Sequence, residues 1–239
     1  MQAVIIAGGK GTRLRPFTHV LPKPLLPIND KPIIEINIKY LKDRGVNEVI
    51  VSDSLLYGKL LETIIGDGSR FGINIQYSYE HSPLLTAGGL GLLHDLLDNS
   101  FLVLNADTLH NLDINALADF HKLSNSDITI ASHKIDYKVN LGVLKHSENK
   151  IEDYIEKPSF NYDASMGIYY MNKDIVCSYI HENHAIDFPT LIKKLISENK
   201  NIQLYRHSGL WIDLGTHDEY AKANESIDMF KEKYPEIPV

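Results

Sequence analysis

The feature that most constrains the fold is an alternation near the start of the chain. AVIIA (3–7) and EVIVS (48–52) are short β-branched runs bounded by breakers, and between them PIIEINIKYLKDRG (32–45) repeats its apolar residues at helical spacing. Runs that are apolar without alternation suit strands buried on both faces, as in a parallel sheet. Pro32 fits a first helical turn and Gly45 a helix stop. Strand, crossover helix and strand make a βαβ unit with a right-handed connection. LLYGKLLETII (55–65) and a stretch around GGLGLLHDLL (88–97) predict further helices, and INIQYSY (73–79) and FLVLNAD (101–107) further strands. The expected fold class is α/β, a Rossmann-like doubly wound sheet.

The second half is more mixed. DITIAS (127–132), GVLKH (142–146), KIEDYIEK (150–157) and MGIYYM (166–171) predict strands, some antiparallel because their connectors are short, so the whole sheet is expected to be mixed. FPTLIKKLISENK (188–200) predicts an amphipathic helix, and a last helix follows WIDLGT (211–216), where Thr216 and Glu219 have capping-box spacing. No linker, repeat or low-complexity tract interrupts the pattern. One continuous domain over 1–239 is expected, with a nucleotide-binding half to about 110, a second half over 111–228 and a loose tail over 229–239.

Composition limits the function classes. A net charge of −7 argues against a protein that coats nucleic acid. Cys177, the single cysteine, cannot form an internal disulfide, which fits a reducing, cytoplasmic setting, and no motif frames it, so a small buried hydrophobe is expected. MQAVIIAGG lacks the charged region of a signal peptide, and no run of 18 apolar residues exists to span a membrane. His181 and His184, in HENH, sit in a polar segment and are expected to be solvated.

Against that acidic background one segment stands apart. From Gly8 to Lys31 the chain carries Lys10, Arg13, Arg15, Lys23 and Lys31 against a single acid, Asp30. The loop Gly8-Gly9-Lys10-Gly11-Thr12-Arg13 follows the first strand, so it lies at the carboxyl edge of the sheet, where open α/β folds bind ligands. Glycines let successive backbone N–H groups cradle an anion, and fixed cations beside such a nest suit a polyphosphate. The loop is neither common phosphate motif. GxGxxG needs a glycine where Leu14 stands, and the Walker pattern needs one where Val4 stands. Lys23 lies between Pro22 and Pro24, which restrict its backbone and can aim its side chain inward. Asp107, closing FLVLNAD, and Asp213, in WIDLGT, each read alone more readily as a turn or cap residue than as a ligand.

GGKGTRLRPFT followed by PKPLLPI resembles the signature of the sugar-1-phosphate nucleotidyltransferases. The similarity continues in order through GDGSRFGINIQY, TAGGL, LNAD, LGV, IEDYIEKP, GIYYM and WIDLGT, and so covers nearly the whole chain. The resemblance implies conversion of an NTP and a sugar 1-phosphate to an NDP-sugar and pyrophosphate, with Mg²⁺ or Mn²⁺ held by Asp107 and Asp213. It assigns catalytic roles to Arg13 (the β- and γ-phosphates), Lys23 (the α-phosphate), Asp107 and Lys157 (the sugar phosphate). It places the nucleotide on Ala7, Gly8, Gly9, Gly11, Thr12, Arg13, Glu80, Thr86, Ala87 and Gly88, and the sugar on Gly142, Glu156, Lys157 and Ser165. No general base is needed, since the attacking phosphate is already ionised.

Two positions depart from the family pattern. Ala106 stands where glycine is common before the metal aspartate, and Ser165-Met166 replaces an Asn-Ala pair whose asparagine contacts the sugar. A shorter serine and a bulky Met166 imply a sugar pocket of different shape. Overall similarity is to short bacterial mannose- or heptose-1-phosphate guanylyltransferases of surface-glycan pathways, lipopolysaccharide or capsule. That implies GTP, a mannose-, heptose- or hexosamine-type sugar, a homo-oligomer, and no C-terminal β-helix. Cytidylyl-, uridylyl- and thymidylyltransferases, one acting on phosphocholine among them, are the nearest alternatives, although Glu156-Lys157-Pro158 favours a sugar phosphate. From another class, a non-catalytic nucleotide-sugar sensor is opposed by the retained Arg13, Lys23, Asp107, Lys157 and Asp213. A kinase or NTP-dependent scaffold is opposed by the missing phosphate motifs.

Overall fold

In the computed structural model, which describes every residue except Lys10, Glu236 and Val239, strand β1 (Gln2–Ile6) is buried along its whole length. The glycine loop and three 3₁₀ turns lead from it to a small hairpin, β2 (Pro27–Ile28) and β3 (Lys31–Pro32), and then to helix α1 (Ile33–Asp43). β4 (Glu48–Ser54), α2 (Leu55–Ile65) and β5 (Asn74–Glu80) complete two βαβ-type steps. The chain then crosses to the other side of β1 through α3 (Leu85–Gly88) and a 3₁₀ segment, and forms β6 (Ser100–Asn105), β7 (Thr108–His110) and α4 (Ile114–Leu123). β8 (Ile128–Lys138), β9 (Val143–Ser147), β10 (Lys150–Ile155) and β11 (Ser159–Asn172) follow, then α5 (Lys173–Tyr179) and α6 (Phe188–Ser197). The described chain closes with β12 (Ile202–His207), β13 (Trp211–Asp213), α7 (His217–Glu225) and α8 (Ile227–Lys233).

Seven strands form one sheet in the order β12-β8-β11-β6-β1-β4-β5. Every neighbouring pair is parallel except the two that β11 makes, with β6 and with β8. This is the mixed, doubly wound α/β sheet expected from the sequence. Alternate residues of β1 point to opposite layers. Ala3 and Ile5 pack with Ile34, Ile38 and Leu41 of α1, Leu61 of α2 and Leu117 of α4, while Val4 and Ile6 pack with Leu90, Val176 of α5 and Leu191 of α6. Each fully buried isoleucine removes enough apolar surface from water to stabilise the fold by roughly 2 kcal/mol. A third cluster joins the two ends of the chain: Leu14, Ile28 and Tyr40 meet Leu214, Ala223, Phe230 and Ile237.

Caps account for several helix starts. Asp113 accepts from the N–H groups of Asn115 and Ala116 at 3.0 Å, and Asp187 accepts from Thr190 N–H at 2.8 Å. At α7 the Thr216 hydroxyl accepts from Glu219 N–H at 3.3 Å and donates to the Glu219 carboxylate at 3.0 Å, a variant of the expected capping box.

Several expectations are corrected. The helix predicted over 88–97 is four α-helical residues ending at Gly88 and then a 3₁₀ run to Leu93. Its glycines lie against backbone: a Cβ on Gly88 would sit 2.5 Å from the His184 carbonyl oxygen, and one on Gly91 2.8 Å from that of His181. Cys177 is exposed, on the outer face of α5. The segment read as a tail carries buried Phe230 and Ile237, and Lys31 Nζ donates to Pro238 O at 3.1 Å. His181 and His184 are exposed, as expected. No helix of the described residues is long and apolar enough to cross a membrane.

Candidate active site

β1 is the point where the winding reverses: the chain goes from it to β4 on one side and reaches β6 on the other. Parallel neighbours whose connections leave in opposite directions open a crevice at their carboxyl ends. A cavity of about 350 Å³ occupies that position. Ala7, Gly8 and Gly9 form its wall at the end of β1, and Asn105, Ala106 and Asp107 the wall at the end of β6. Ala7 N–H donates to Ser52 O and Ala106 N–H to Ile6 O, so both strand ends are held in register past their last paired residues.

The loop between them is shaped by its glycines. Gly11 has φ 55° and starts the 3₁₀ turn Thr12–Leu14. The Thr18 hydroxyl donates to Gly11 O at 2.7 Å and Leu14 is buried, which anchors the turn and leaves Thr12 and Arg13 exposed at the cavity. Lys10, counted among the loop cations, lies outside the described residues. The prolines around Lys23 build the third 3₁₀ turn, Lys23–Leu25, tied by Leu25 N–H to Pro22 O at 2.9 Å and anchored by buried Leu25 and Leu26. The lysine side chain is thereby aimed into the cavity, where Nζ bonds to Asp107 Oδ2.

Asp213 reaches the same cavity from the other end of the chain. β13 pairs antiparallel with β7, setting Asp213 opposite Thr108, and Leu214 N–H donates to Asp107 O at 3.0 Å. Burial first, then the Asp107 charge, push the Asp213 carboxyl above the usual carboxylate range, while Lys23 and Arg13 pull it down. The two carboxylates therefore share one field with two cations. Gly215 permits the arrangement, since a Cβ there would lie 3.0 Å from Asp213 Oδ2 and 3.2 Å from Arg13 Nη2.

At the far end of the glycine loop the surroundings are acidic. Glu80, at the end of β5, is almost fully buried behind Gly8 and Gly89: a Cβ on Gly8 would be 3.8 Å from Glu80 Oε1, and one on Gly89 2.6 Å from it. Burial raises the Glu80 carboxyl, opposed by the Leu84 N–H donated to its Oε2 at 3.1 Å. Asp53 beside it is fully buried, with Oδ1 accepting from Ser54 N–H and Oδ2 lacking a hydrogen-bond partner. Its carboxyl is raised to about 6, chiefly by burial. Thr86 lines the cavity, whereas Ala87 and Gly88 are buried beneath it and spend their N–H groups on Ile186 O.

The residues assigned to the sugar are less closely gathered. Glu156 and Lys157 sit on the exposed turn between β10 and β11, 3.8 Å apart as an ion pair. The Tyr154 ring covers Gly142, where a Cβ would fall 2.1 Å from the phenol oxygen. Ser165 is exposed at the β11 irregularity, and Gly167, with φ 71°, packs onto Asn105 of the cavity wall. Met166 is buried in the core with its carbonyl accepting from Trp211 Nε1 at 3.2 Å.

The nucleotidyl transferase family model matches residues 2–229 of this sequence. The chain belongs to the nucleotidyl transferase family. Among the relatives of this family member, a mannose-1-phosphate guanyltransferase of Yarrowia lipolytica is 32% identical over 232 residues, 92% of this chain and 62% of the relative. A UTP–glucose-1-phosphate uridylyltransferase of Synechocystis is 30% identical over 258 residues, 100% of this chain and 66% of the relative. The chain thus spans less than two thirds of the length of these family relatives. Among solved structures, HddC from Yersinia pseudotuberculosis complexed with GMP-PN aligns at a TM-score of 0.74 and 26% identity, covering 95% of this chain and 99% of that one.

For this family member, sequence reasoning missed the groups contributed by strand ends that carry no motif. Ser52 and Asp53 follow the apolar run of β4, Ser52 level with Asn105 at the end of β6 across β1. Gly215 was visible within WIDLGT, but its contact with Arg13 required the fold.

Proposed function

We propose that the chain transfers a nucleotidyl group from an NTP to a sugar 1-phosphate, releasing pyrophosphate. The observation that carries this reading is one cavity lined by a glycine loop, Arg13, Lys23 and the Asp107–Asp213 pair. In such transfers the protein positions two polyanions and neutralises charge developing on the phosphorus. Arg13 holds the departing β- and γ-phosphates, the loop N–H groups bind the triphosphate, and Lys23 stabilises the α-phosphate. Lys157 grips the sugar phosphate and Glu156 accepts from sugar hydroxyls, with Gly142 and Ser165 beside the ring.

The carboxylate pair fits a hard divalent cation. Asp107 and Asp213 face one cavity and are electrostatically coupled, and Mg²⁺ takes one or two protein carboxylates together with phosphate oxygens. When bound, Mg²⁺ would shield the triphosphate and polarise the α-phosphate. GTP is the favoured nucleotide, since guanyltransferases are among the relatives. The uridylyltransferase relative keeps UTP as the second reading. A mannose-, heptose- or hexosamine-type 1-phosphate made for surface glycans completes the proposal. Purified protein with Mg²⁺, each NTP and a panel of sugar 1-phosphates should release pyrophosphate for at least one pair. Nucleotide binding without pyrophosphate release from any pair would instead support the sensor.

A further inference from the structure

None of residues 134–165 is buried. β8 and β11 stay paired with each other here after their other neighbours have ended: β12 stops at His207, level with His133, and β6 meets β11 only from Ile168 onward. The result is a two-stranded arm that extends past the sheet and carries the β9–β10 hairpin between its strands. Direct cross-strand partners share a face. Ile135 stands opposite Tyr162 and Tyr137 opposite Phe160, so these four occupy one face, and they are 39–65% exposed. The other face is polar, with Lys134 opposite Asp163 and Asp136 opposite Asn161. The hairpin adds four more exposed apolar side chains, Leu144 and its cross-strand partner Tyr154 among them. Eight of the 21 large apolar side chains exposed among the described residues thus lie between 135 and 162. A two-stranded ribbon is marginal in water by itself, and apolar surface gathered on one marks a place where something docks.

We infer that this arm is the contact between two copies of the chain, apolar face to apolar face about a two-fold axis, and that the pairing sets the sugar half of the active site. Three features of the arm select a second copy as its occupant. Its eight exposed side chains, roughly half-exposed at about 200 Å² each, offer about 800 Å² per copy, the share that a stable interface of standard size takes from each partner. Its charge is nearly balanced, five lysines against six acids over 134–163 in a chain of net charge −7, so two copies meet without repulsion, whereas an acidic membrane or a nucleic acid calls for a basic face. An apolar face that needs only itself as a complement suits the isologous contact of a two-fold dimer. The tie to the active site rests on the nucleotidyl-transfer reading above. Gly142, Glu156 and Lys157 all lie on the arm, which has no core of its own to hold them, whereas the nucleotide cavity is built on the strand ends of the sheet. A second copy that steadies the arm therefore steadies the residues assigned to the sugar phosphate.

The test uses the full chain, by sedimentation velocity and steady-state kinetics. The parent should sediment as a dimer at micromolar concentration. Tyr137→Lys combined with Tyr162→Lys, which puts charge on the apolar face, should give a monomer, whereas Leu123→Lys, at an exposed leucine ending α4, should remain a dimer. In the monomeric variant the KM for the sugar 1-phosphate should rise about tenfold, since only chains with the arm in place bind it. NTP affinity by calorimetry should stay parent-like in that variant, which shows that its sheet is intact. A monomeric parent, or a dimer that survives both lysines, overturns the interface. Loss of the dimer with an unchanged KM for the sugar 1-phosphate overturns its tie to the active site. A parent that turns over no pair of NTP and sugar 1-phosphate overturns the nucleotidyl-transfer reading, and sedimentation of the three chains still decides the interface.

Discussion

Lys23 and Asp107 bond directly to each other across the candidate active site, with side chains 11% and 25% exposed. The cation assigned to the α-phosphate is held by the carboxylate assigned to the metal. In the free chain each neutralises the other, so neither is left as an uncompensated charge in a partly buried place. A cation–triphosphate complex would exchange this one pairing for two, Lys23 with phosphate and Asp107 with the cation, which links nucleotide entry to release of the lysine.

Removing either partner should therefore cost activity beyond its own contact. Lys23→Met and Asp107→Asn are each expected to lower kcat/KM by about 10²-fold or more, as for other preorganised electrostatic groups. The double variant should lose much less than the product of the two, because the groups act as a unit. Pyrophosphate release measured for all three checks this, and mild losses in both single variants would remove Lys23 and Asp107 from the chemistry.

The cation requirement should divide between the two aspartates. Chelation is expected to stop turnover, and re-addition of Mg²⁺ to restore it. Asp213→Asn should raise the Mg²⁺ concentration for half-maximal rate about 10-fold or more, in the range found when groups supporting a metal site are lost. A Mg²⁺ titration of the variant decides it, and an unchanged midpoint would separate Asp213 from the metal.

Gly215 has no room for a side chain. The Cβ of Gly215→Ala would crowd both Asp213 and Arg13 at 3.0–3.2 Å, so one of the two must shift by a few tenths of an ångström. The expected outcome is a several-fold weaker apparent affinity for NTP with little change in melting temperature. Steady-state kinetics beside a thermal melt distinguish this from general destabilisation.

Asp53 should make stability depend on pH. Its folded-state value near 6 lies above the ordinary 3.8, so the folded chain holds this proton more tightly than the unfolded chain. Stability is then lost as pH rises from about 4 to 6 and stays reduced above that, by up to about 3 kcal/mol from a shift of 6 − 3.8 = 2.2 at about 1.36 kcal/mol each. Asp53→Asn should flatten this window and be more stable than the parent at pH 8. Urea unfolding at pH 4, 6 and 8 measures it, and equal stability at pH 8 would mean that the buried carboxylate carries no penalty.

Where the sequence was legible, neighbouring residues decided the outcome. The apolar runs at β1 and β4 and the helical spacing of α1 and α2 express local preferences that packing reinforces. The stretch at 88–97 was misread because its glycines answer to the backbone of 181–186, about ninety residues away, which no local period records. Cys177 was misread because type alone cannot say which face of α5 points outward.

The sequence by itself determined the winding of the first half, the place of the glycine loop at the end of β1 and the proline-framed turn that carries Lys23. These depend on φ preferences, hydrophobic period and breakers, all of which act within a few residues. Only the tertiary structure decided that Asp213 joins Asp107, through the β7–β13 pairing, and that Glu80 and Asp53 stand behind Gly8. Those relations come from strand register and loop docking between segments far apart in the chain, where the energy lies in contacts that exist only once the sheet has formed.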